Sequence, residues 1–256
     1  MRGRAEHAIE LAGDWTSARM LLRLMSALEI PWVATERGLV NQKTGEVCVL
    51  EMRRRDTRLA ARFRSGECPV RPSLDAEALT GVDEHSSIVI VRADSAAEPL
   101  AGGLAVLRAG SALVDLGAWA VRVLGTGITH GAKRWQELAE EANSEDEAVL
   151  RRTLYLAFVH PIVQEGPRWR TRGMGLLEQP DVSVPTEVPE AVAFDVMEAL
   201  NVSVLAGEQP PAGASVRASR RGRAFRIASG PDPRPTGDPC HNPRGTWILE
   251  PAPLGR

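Results

Sequence analysis

Aromatic residues and cysteines are scarce in this sequence. Only 4% of its 256 residues are aromatic, and the 6 tryptophans make up most of them. A buried core must therefore be built mainly from Leu, Val, Ala and Ile. The three cysteines, Cys48, Cys68 and Cys240, are an odd number without close spacing, which argues against a disulfide framework and favours a reducing compartment. No run of about 18 apolar residues occurs, so we expect no transmembrane helix.

An excess of charge of one sign is also lacking. The chain has 31 basic and 33 acidic residues, for a net charge of -2. This balance argues against binding to nucleic acid or to a membrane. The N-terminal segment is basic but has no apolar stretch, so we expect no signal peptide and a cytoplasmic protein.

Apolar patterning predicts helices and strands in a mixed order. Residues 86–91 and 118–124 are short, apolar and rich in β-branched side chains, which indicates buried strands. A long helix is expected between them at 97–116. Further helices are expected from Asp14 to Leu28 and at 132–142 and 187–205, and further strands at 32–35, 46–52, 153–164 and 246–249.

These elements predict an α+β fold. We expect one large domain over residues 1–256, in which a mixed β-sheet is covered by helices. Strands and helices do not alternate strictly, which argues against repeated βαβ units. Five prolines within residues 229–244 predict a long loop before the last strand.

No familiar catalytic or metal-binding motif is present. The five histidines show neither HxxxH nor HExxH spacing. Cys240 and His241 are adjacent, but a cysteine–histidine nucleophile needs a third, orienting group that the sequence does not identify. We therefore expect no metal, no cofactor and no enzyme activity of a recognisable type.

The glycine-rich segment 125–131, GTGITHG, is predicted to follow a strand and to precede a helix, as a phosphate-binding loop does. It lacks the Lys–Ser/Thr pair of a P-loop, and it is not GxGxxG because residue 130 is His. A plain strand-to-helix turn is therefore the favoured interpretation.

Two clusters of arginine are also conspicuous. Arginine pairs with phosphates in a bidentate manner. The near-zero net charge and the shortage of aromatics instead favour another interpretation, in which these arginines lie on solvated strands and turns and pair with glutamate side chains. The clusters are Arg53, Arg54, Arg55, Arg58, Arg62 and Arg64, and Arg217, Arg220, Arg221, Arg223 and Arg226.

Residues 113–184 resemble a bacterial family catalogued only as a domain of unknown function. The resemblance lies in the segments LVDLGAWAVRVLGTGITHGAKRW, YLAFVHPIVQE and RTRGMGLLEQPDVSV, and the ending HNPRGTW at 241–247 is also similar. The matching positions are 117–123, His130, Trp135, Thr171, Gly173, Pro180 and Asp181. The family's glycine before the Pro–Asp pair is replaced here around Glu178 and Gln179. The family has no assigned activity, so the resemblance implies no catalytic residue. Members of the family are sometimes associated with bacterial interaction or conflict loci.

We therefore expect a cytoplasmic binding or regulatory module whose partner is another protein, for example an immunity or adaptor protein in a bacterial interaction system. Two alternatives remain open. One is an enzyme of unfamiliar class with a small-molecule or anion site around His130. The other is a nucleic-acid-associated protein that uses its arginine clusters.

The predicted contact site gathers residues from two loops and their neighbours. Its members are Thr126, His130, Trp135, Arg172, His241 and Asn242. Loops at the carboxyl ends of strands often carry function, and a histidine can donate, accept or titrate near neutral pH. Arg172 and the first N–H groups of the 132–142 helix could hold a carboxylate or a phosphate. The alternative is that all six are structural hydrogen-bonding groups in turns.

Overall fold

A computed structural model describes residues 6–35, 38–72, 74–94, 97–211, 213–219 and 222–252. The chain divides into two compact units, Met1–Phe158 and Val159–Arg256. Each unit contains one β-sheet and at least one long helix, so the predicted α+β class is confirmed. That the whole chain behaves as one large domain stays a prediction.

The first unit is built around a seven-stranded sheet in which every pair of neighbouring strands is antiparallel. Its strands are β1 (Ala8–Gly13), β2 (Trp32–Thr35), β3 (Gly38–Asn41), β4 (Val47–Arg54), β5 (Ser87–Ala93), β6 (Ala120–Val123) and β7 (Thr129–Gly131). Their order across the sheet is β2-β3-β4-β5-β1-β6-β7.

Strands β5 and β6 are the predicted strands 86–91 and 118–124. We expected them in a mixed sheet, and the structure corrects this. Both are antiparallel to β1, which lies between them, so they run parallel to each other without being neighbours. The sequence did not predict β1, and its insertion turns what would be a parallel pair into an antiparallel sheet.

Six helices accompany this sheet among the described residues of the first unit. They are α1 (Ala18–Ala27), α2 (Leu59–Ser65), α3 (Ala76–Glu84), α4 (Pro99–Asp115), α5 (Ala132–Glu141) and α6 (Glu147–Phe158). The predicted start of the first helix at Asp14 is corrected to Ala18, because the Ser17 side chain caps the helix by accepting from Met20 N–H, while Asp14 accepts from Ser86 N–H. The strand predicted at 153–164 is helix up to Phe158, since a short apolar run does not distinguish a buried helix from a strand.

Both faces of the first sheet are covered. One face packs against α2 and α3, where the ring of Trp119 lies on Gly81 so closely that an added Cβ would sit 2.1 Å from it. The other face packs against α4, which is apolar around most of its circumference and mostly buried.

In β1, Glu10 is buried and accepts from Arg122 at 2.8 Å, with Arg62 3.6 Å away.

The second unit contains a six-stranded sheet that is mixed. Its strands are β8 (His160–Glu165), β9 (Arg168–Arg172), β10 (Asp181–Pro185), β11 (Ser215–Val216), β12 (Phe225–Gly230) and β13 (Thr246–Pro251), in the order β11-β12-β13-β10-β9-β8. Only β10 and β13 are parallel neighbours. Helix α7 (Glu190–Leu205) packs on one face, and residues 231–245 form the predicted loop.

None of the helices in the described residues is long and apolar enough to cross a membrane.

His7 is a buried, uncharged residue in the core of the first unit. It is 2% exposed, and its ring meets that of Phe158 edge-on at a centroid distance of 4.8 Å. Burial in these surroundings lowers the pKa of His7 to about 4, because the imidazolium would lose its hydration.

Acidification is therefore expected to destabilise this core through His7. The unfolded chain takes up the proton below its ordinary pKa of about 6.5, whereas the folded chain resists it down to about pH 4. Stability falls across that window, by about 3 kcal/mol for this one group. Urea denaturation at a series of pH values should show a shallower pH dependence for His7→Phe than for the natural sequence. His241→Gln serves as a control that keeps the full dependence, and identical slopes for His7→Phe and the natural sequence would contradict the assignment.

Candidate functional site

The predicted glycine turn is a β-hairpin. Residues 125–131 connect β6 to β7, and β7 leads directly into α5, so the expected strand-to-helix turn is corrected. Thr126 is buried in this hairpin. The Thr129 N–H donates to the Gly66 carbonyl at 3.1 Å, and a Cβ on Gly66 would lie 1.9 Å from the Gly127 oxygen. The hairpin is thus locked against the end of α2.

His130 and Trp135 belong to the core of the first unit. His130 is 4% exposed, and its Nε2 lies 2.8 Å from the Ala157 carbonyl. Trp135 is fully buried and its Nε1 donates to the Leu107 carbonyl at 3.1 Å. The two rings also contact each other, with centroids 5.5 Å apart. Their polar atoms hold helices and strands together, which supports the structural alternative for these two residues.

The start of α5 nevertheless opens on a cleft. The N-cap residue of α5 is Gly131, which offers no side-chain cap, and the cleft beside it has a volume of about 590 Å³. Basic and acidic side chains line it in nearly equal numbers: Lys133 and Arg134, and Asp75, Glu77 and Glu137. Three carboxylates offset the positive end of the helix, so the cleft does not favour an anion.

The remaining predicted residues, Arg172, His241 and Asn242, lie together in the second unit. Arg172 belongs to a charged cluster with a buried centre, which we call the Arg234 cluster, and His241 and Asn242 border this cluster. Its members are Glu165, Arg170, Arg172, Asp181, Asp232 and Arg234, three acids and three bases. The sequence did not identify its centre, because Asp181, Asp232 and Arg234 carry no spacing signature.

Arg234 is held between two buried carboxylates. Its Nη2 lies 2.6 Å from Asp181 and 2.8 Å from Asp232, whose side chains are 1% and 0% exposed. Burial works to raise the pKa of Asp232, but hydrogen bonds from Arg234 and Asn242 outweigh it and hold that pKa below its usual value. Burial raises the pKa of Asp181, against the opposing effect of Arg234 and of the Met174 N–H. Asp232 therefore stays ionised as the main partner of Arg234.

The Arg234 cluster fixes the long loop 231–245 to the sheet. The Asn242 N–H donates to Asp232 at 2.6 Å, and its side chain donates to the Gln179 carbonyl at 2.9 Å. His241 Nδ1 lies 2.9 Å from the Arg234 carbonyl. Arg172 donates to Glu165 at 2.6 Å on the neighbouring strand β8. These contacts organise a segment that has no regular secondary structure of its own.

The cysteine beside this cluster is not activated. Burial raises the pKa of the Cys240 thiol, although Arg172 and Arg234 act in the opposite direction. A nucleophilic cysteine requires a lowered pKa. The hypothesis of a Cys240–His241 nucleophile is therefore not supported by its electrostatic surroundings.

The first arginine cluster is partly neutralised. Arg62 pairs with Asp56 at 2.7 Å, and Arg53 pairs with Glu51 at 2.7 Å. In the second cluster, Arg220 and Arg221 lie outside the described residues. The pairs found in the first cluster agree with the interpretation of solvated arginines partnered by acids.

A groove that the sequence did not predict lies between α1 and β2. It has a volume of about 380 Å³. Leu22, Ile30 and Val33 contribute half-buried apolar side chains to it, and Glu29 and Lys43 contribute charges. The groove is lined by residues 31–34, which include part of β2, and β2 is the end strand of the first sheet.

The register of β2 shows which of its main-chain groups point away from β3. Gln42 N–H donates to the Pro31 carbonyl at 2.7 Å, so Val33 and Val40 form the next hydrogen-bonded pair. The N–H and C=O of Ala34 therefore point away from β3, and no described residue bonds to them. Ala34 is exposed whereas Trp32 is buried, so the accessible part of the edge is at Ala34.

Comparison of the chain with known proteins gives no guide to its function. No family model matches it, and neither a curated protein nor a solved structure matches it. The resemblance of residues 113–184 to a family without an assigned activity stays a prediction. A function must therefore be inferred from the geometry described above.

The contact between Gly66 and the β6–β7 hairpin predicts a sensitive position. Gly66→Ala places a methyl group against the Gly127 carbonyl, and such overpacking is expected to cost about 1–3 kcal/mol of unfolding free energy. Gly237→Ala is the control, because an added Cβ there meets nothing within 4 Å. Urea denaturation measures both changes, and equal stabilities of the two variants would show that the hairpin does not press on Gly66.

The burial of Arg234 predicts a large effect of its removal. Arg234→Ala leaves two buried carboxylates without their cation, which is expected to cost about 3–5 kcal/mol. The matched control is Arg244→Ala in the same loop. Arg244 pairs with Glu178 at 2.7 Å, but their side chains are 52% and 51% exposed, and such pairs contribute less than about 1 kcal/mol. Comparable losses in thermal unfolding experiments would argue against a central role for the Arg234 cluster.

Proposed function

We propose that this chain is a protein-binding module that receives an extended segment of its partner in the groove between α1 and β2. The observation that supports this most directly is the exposed edge of β2 at Ala34, beside apolar side chains that the fold leaves half-buried. Soluble proteins usually protect strand edges by pairing, covering or charging them. An uncovered edge next to an apolar groove is a typical place for strand addition.

Strand addition uses the groups that the groove offers. The Ala34 N–H and C=O can pair with the main chain of an incoming segment. Side chains of an extended segment alternate in direction, so every second one can enter the groove. There they would contact Leu22, Ile30 and Val33, which lose water on binding. Main-chain hydrogen bonds then supply affinity, and the groove supplies selectivity.

The two other functions that the sequence left open gain less support. An anion site around His130 would require its ring to be accessible, and that ring is enclosed and bonded to Ala157. A nucleic-acid surface would use the arginines of the first cluster, and two of these, Arg53 and Arg62, are paired with acids. The binding module is the function that the geometry supports best.

A proline at the edge tests the proposal. Ala34→Pro removes the outward N–H and places a ring where the added strand would lie, while edge strands tolerate proline. Peptides selected from a random library on the natural chain are expected to bind this variant at least about tenfold more weakly, since one hydrogen bond and the approach of the strand are lost. Fluorescence anisotropy with labelled peptides measures the affinities.

Ala34→Ser is the matched control, because it changes the same side chain and keeps the N–H. It should bind the selected peptides as the natural chain does, and the melting temperatures of both variants show whether the fold is intact. Selected peptides that bind folded Ala34→Pro with unchanged affinity would exclude the β2 edge as the binding site. Failure to enrich any peptide on the natural chain would also count against the proposal.

A further inference from the structure

We infer that the segment received by the α1–β2 groove is acidic, with carboxylate side chains flanking the apolar ones that enter the groove. This inference rests on the proposed function and names the chemistry of its partner. It is carried by the charges around the groove, which are unequal although the chain as a whole is nearly neutral.

Positive charge predominates along the α1 side of the groove. Arg19 and Arg23 are one helical turn apart, and Ser26, which lines the groove, follows on the same face of α1. Both arginines are exposed. Lys43 lines the opposite side, from the turn between β3 and β4, and is exposed as well. Among the lining residues, Lys43 and Glu29 carry opposite charges and balance each other. Arg19 and Arg23, which lie on α1 beyond the lining, add two further positive charges to this side.

These cations are available to a partner. Several other arginines of the first unit are engaged with acids, as Arg62 is with Asp56 and Arg122 with Glu10. Within the described residues, Arg19, Arg23 and Lys43 form no ion pair at 4 Å or less. A carboxylate on an incoming segment would therefore gain an attraction without having to displace an internal partner.

The same charges disfavour a second copy of this chain in the groove. Two β2 edges paired with each other would bring the two sets of Arg19, Arg23 and Lys43 towards one another. Like charges across an interface oppose association and reject wrong partners. An acidic segment instead combines electrostatic attraction with the main-chain pairing that Ala34 offers.

Two probe peptides of equal length test the inference. In one, aspartate alternates with valine, and in the other, lysine replaces each aspartate. Anisotropy titrations of the natural chain at low salt are expected to show about tenfold tighter binding of the aspartate probe, the effect of two or three exposed charge pairs. The preference should shrink as salt shortens the range of the interaction.

The double variant Arg23→Glu with Lys43→Glu should reverse the preference towards the lysine probe. Lys133→Glu with Arg152→Glu makes the same change of net charge at exposed positions outside the groove, and it should leave the preference intact. Reversal in both double variants would show that only net charge matters and would overturn the inference.

The outcomes separate this inference from the function on which it rests. If both probes bind equally and Ala34→Pro abolishes both, strand addition stands and the acidic partner is refuted. If the aspartate probe binds the natural chain and Ala34→Pro equally, the groove is not its site and the proposed function fails with the inference. A dimer of the natural chain, seen by light scattering and dissociated by Ala34→Pro, would show that a second copy fills the groove and would overturn the acidic assignment.

Discussion

Strand β1 is the constraint on which the first unit depends. It pairs with β5 on one side and with β6 on the other, so its six residues join the two halves of a seven-stranded sheet. All six are buried. The inner edges of β5 and β6 both find their hydrogen-bond partner in β1. This pairing matters because buried main-chain groups without partners are costly. Strand β2 lies at the end of the sheet because β4, β3 and β2 follow one another outward from β5.

Both units bury charge in the same way. Glu10 accepts from Arg122 within the first sheet, and Arg234 lies between Asp181 and Asp232 in the second unit. Buried pairs of this kind add little net stability over apolar residues of the same shape, but removal of one partner is strongly unfavourable. They therefore specify which strands and loops come together. In the second unit, Arg234 connects a proline-rich loop to Asp181 on strand β10.

The proposed binding groove is a consequence of incomplete covering at the end of the first sheet. Helix α1 is short, and Leu21 and Met25 are its buried residues. Leu22 lies on the adjacent face of α1 and is only half-buried, in the groove that residues of β2 also line. Arg19 and Arg23 on α1 and Lys43 in the lining are exposed cations at this same place. An exposed edge, an apolar groove and unpaired positive charge thus coincide on one surface of the first unit.

Local patterns in the sequence determined the type and approximate position of most elements, including β5, α4, β6, α5 and α7. Hydrophobic periodicity and turn residues involve only a few neighbouring positions, so they can be recognised without the tertiary structure. They also determined the long loop before β13. Only the tertiary structure decided that His130 is buried, that Arg234 has two carboxylate partners, and that β2 lies at the edge of its sheet. Each of these depends on contacts between distant parts of the chain, such as the pairing of Glu10 with Arg122 across a separation of 112 residues. Side-chain type alone carries no record of such a partner, so the candidate groove could be recognised only after the strands had been placed in order.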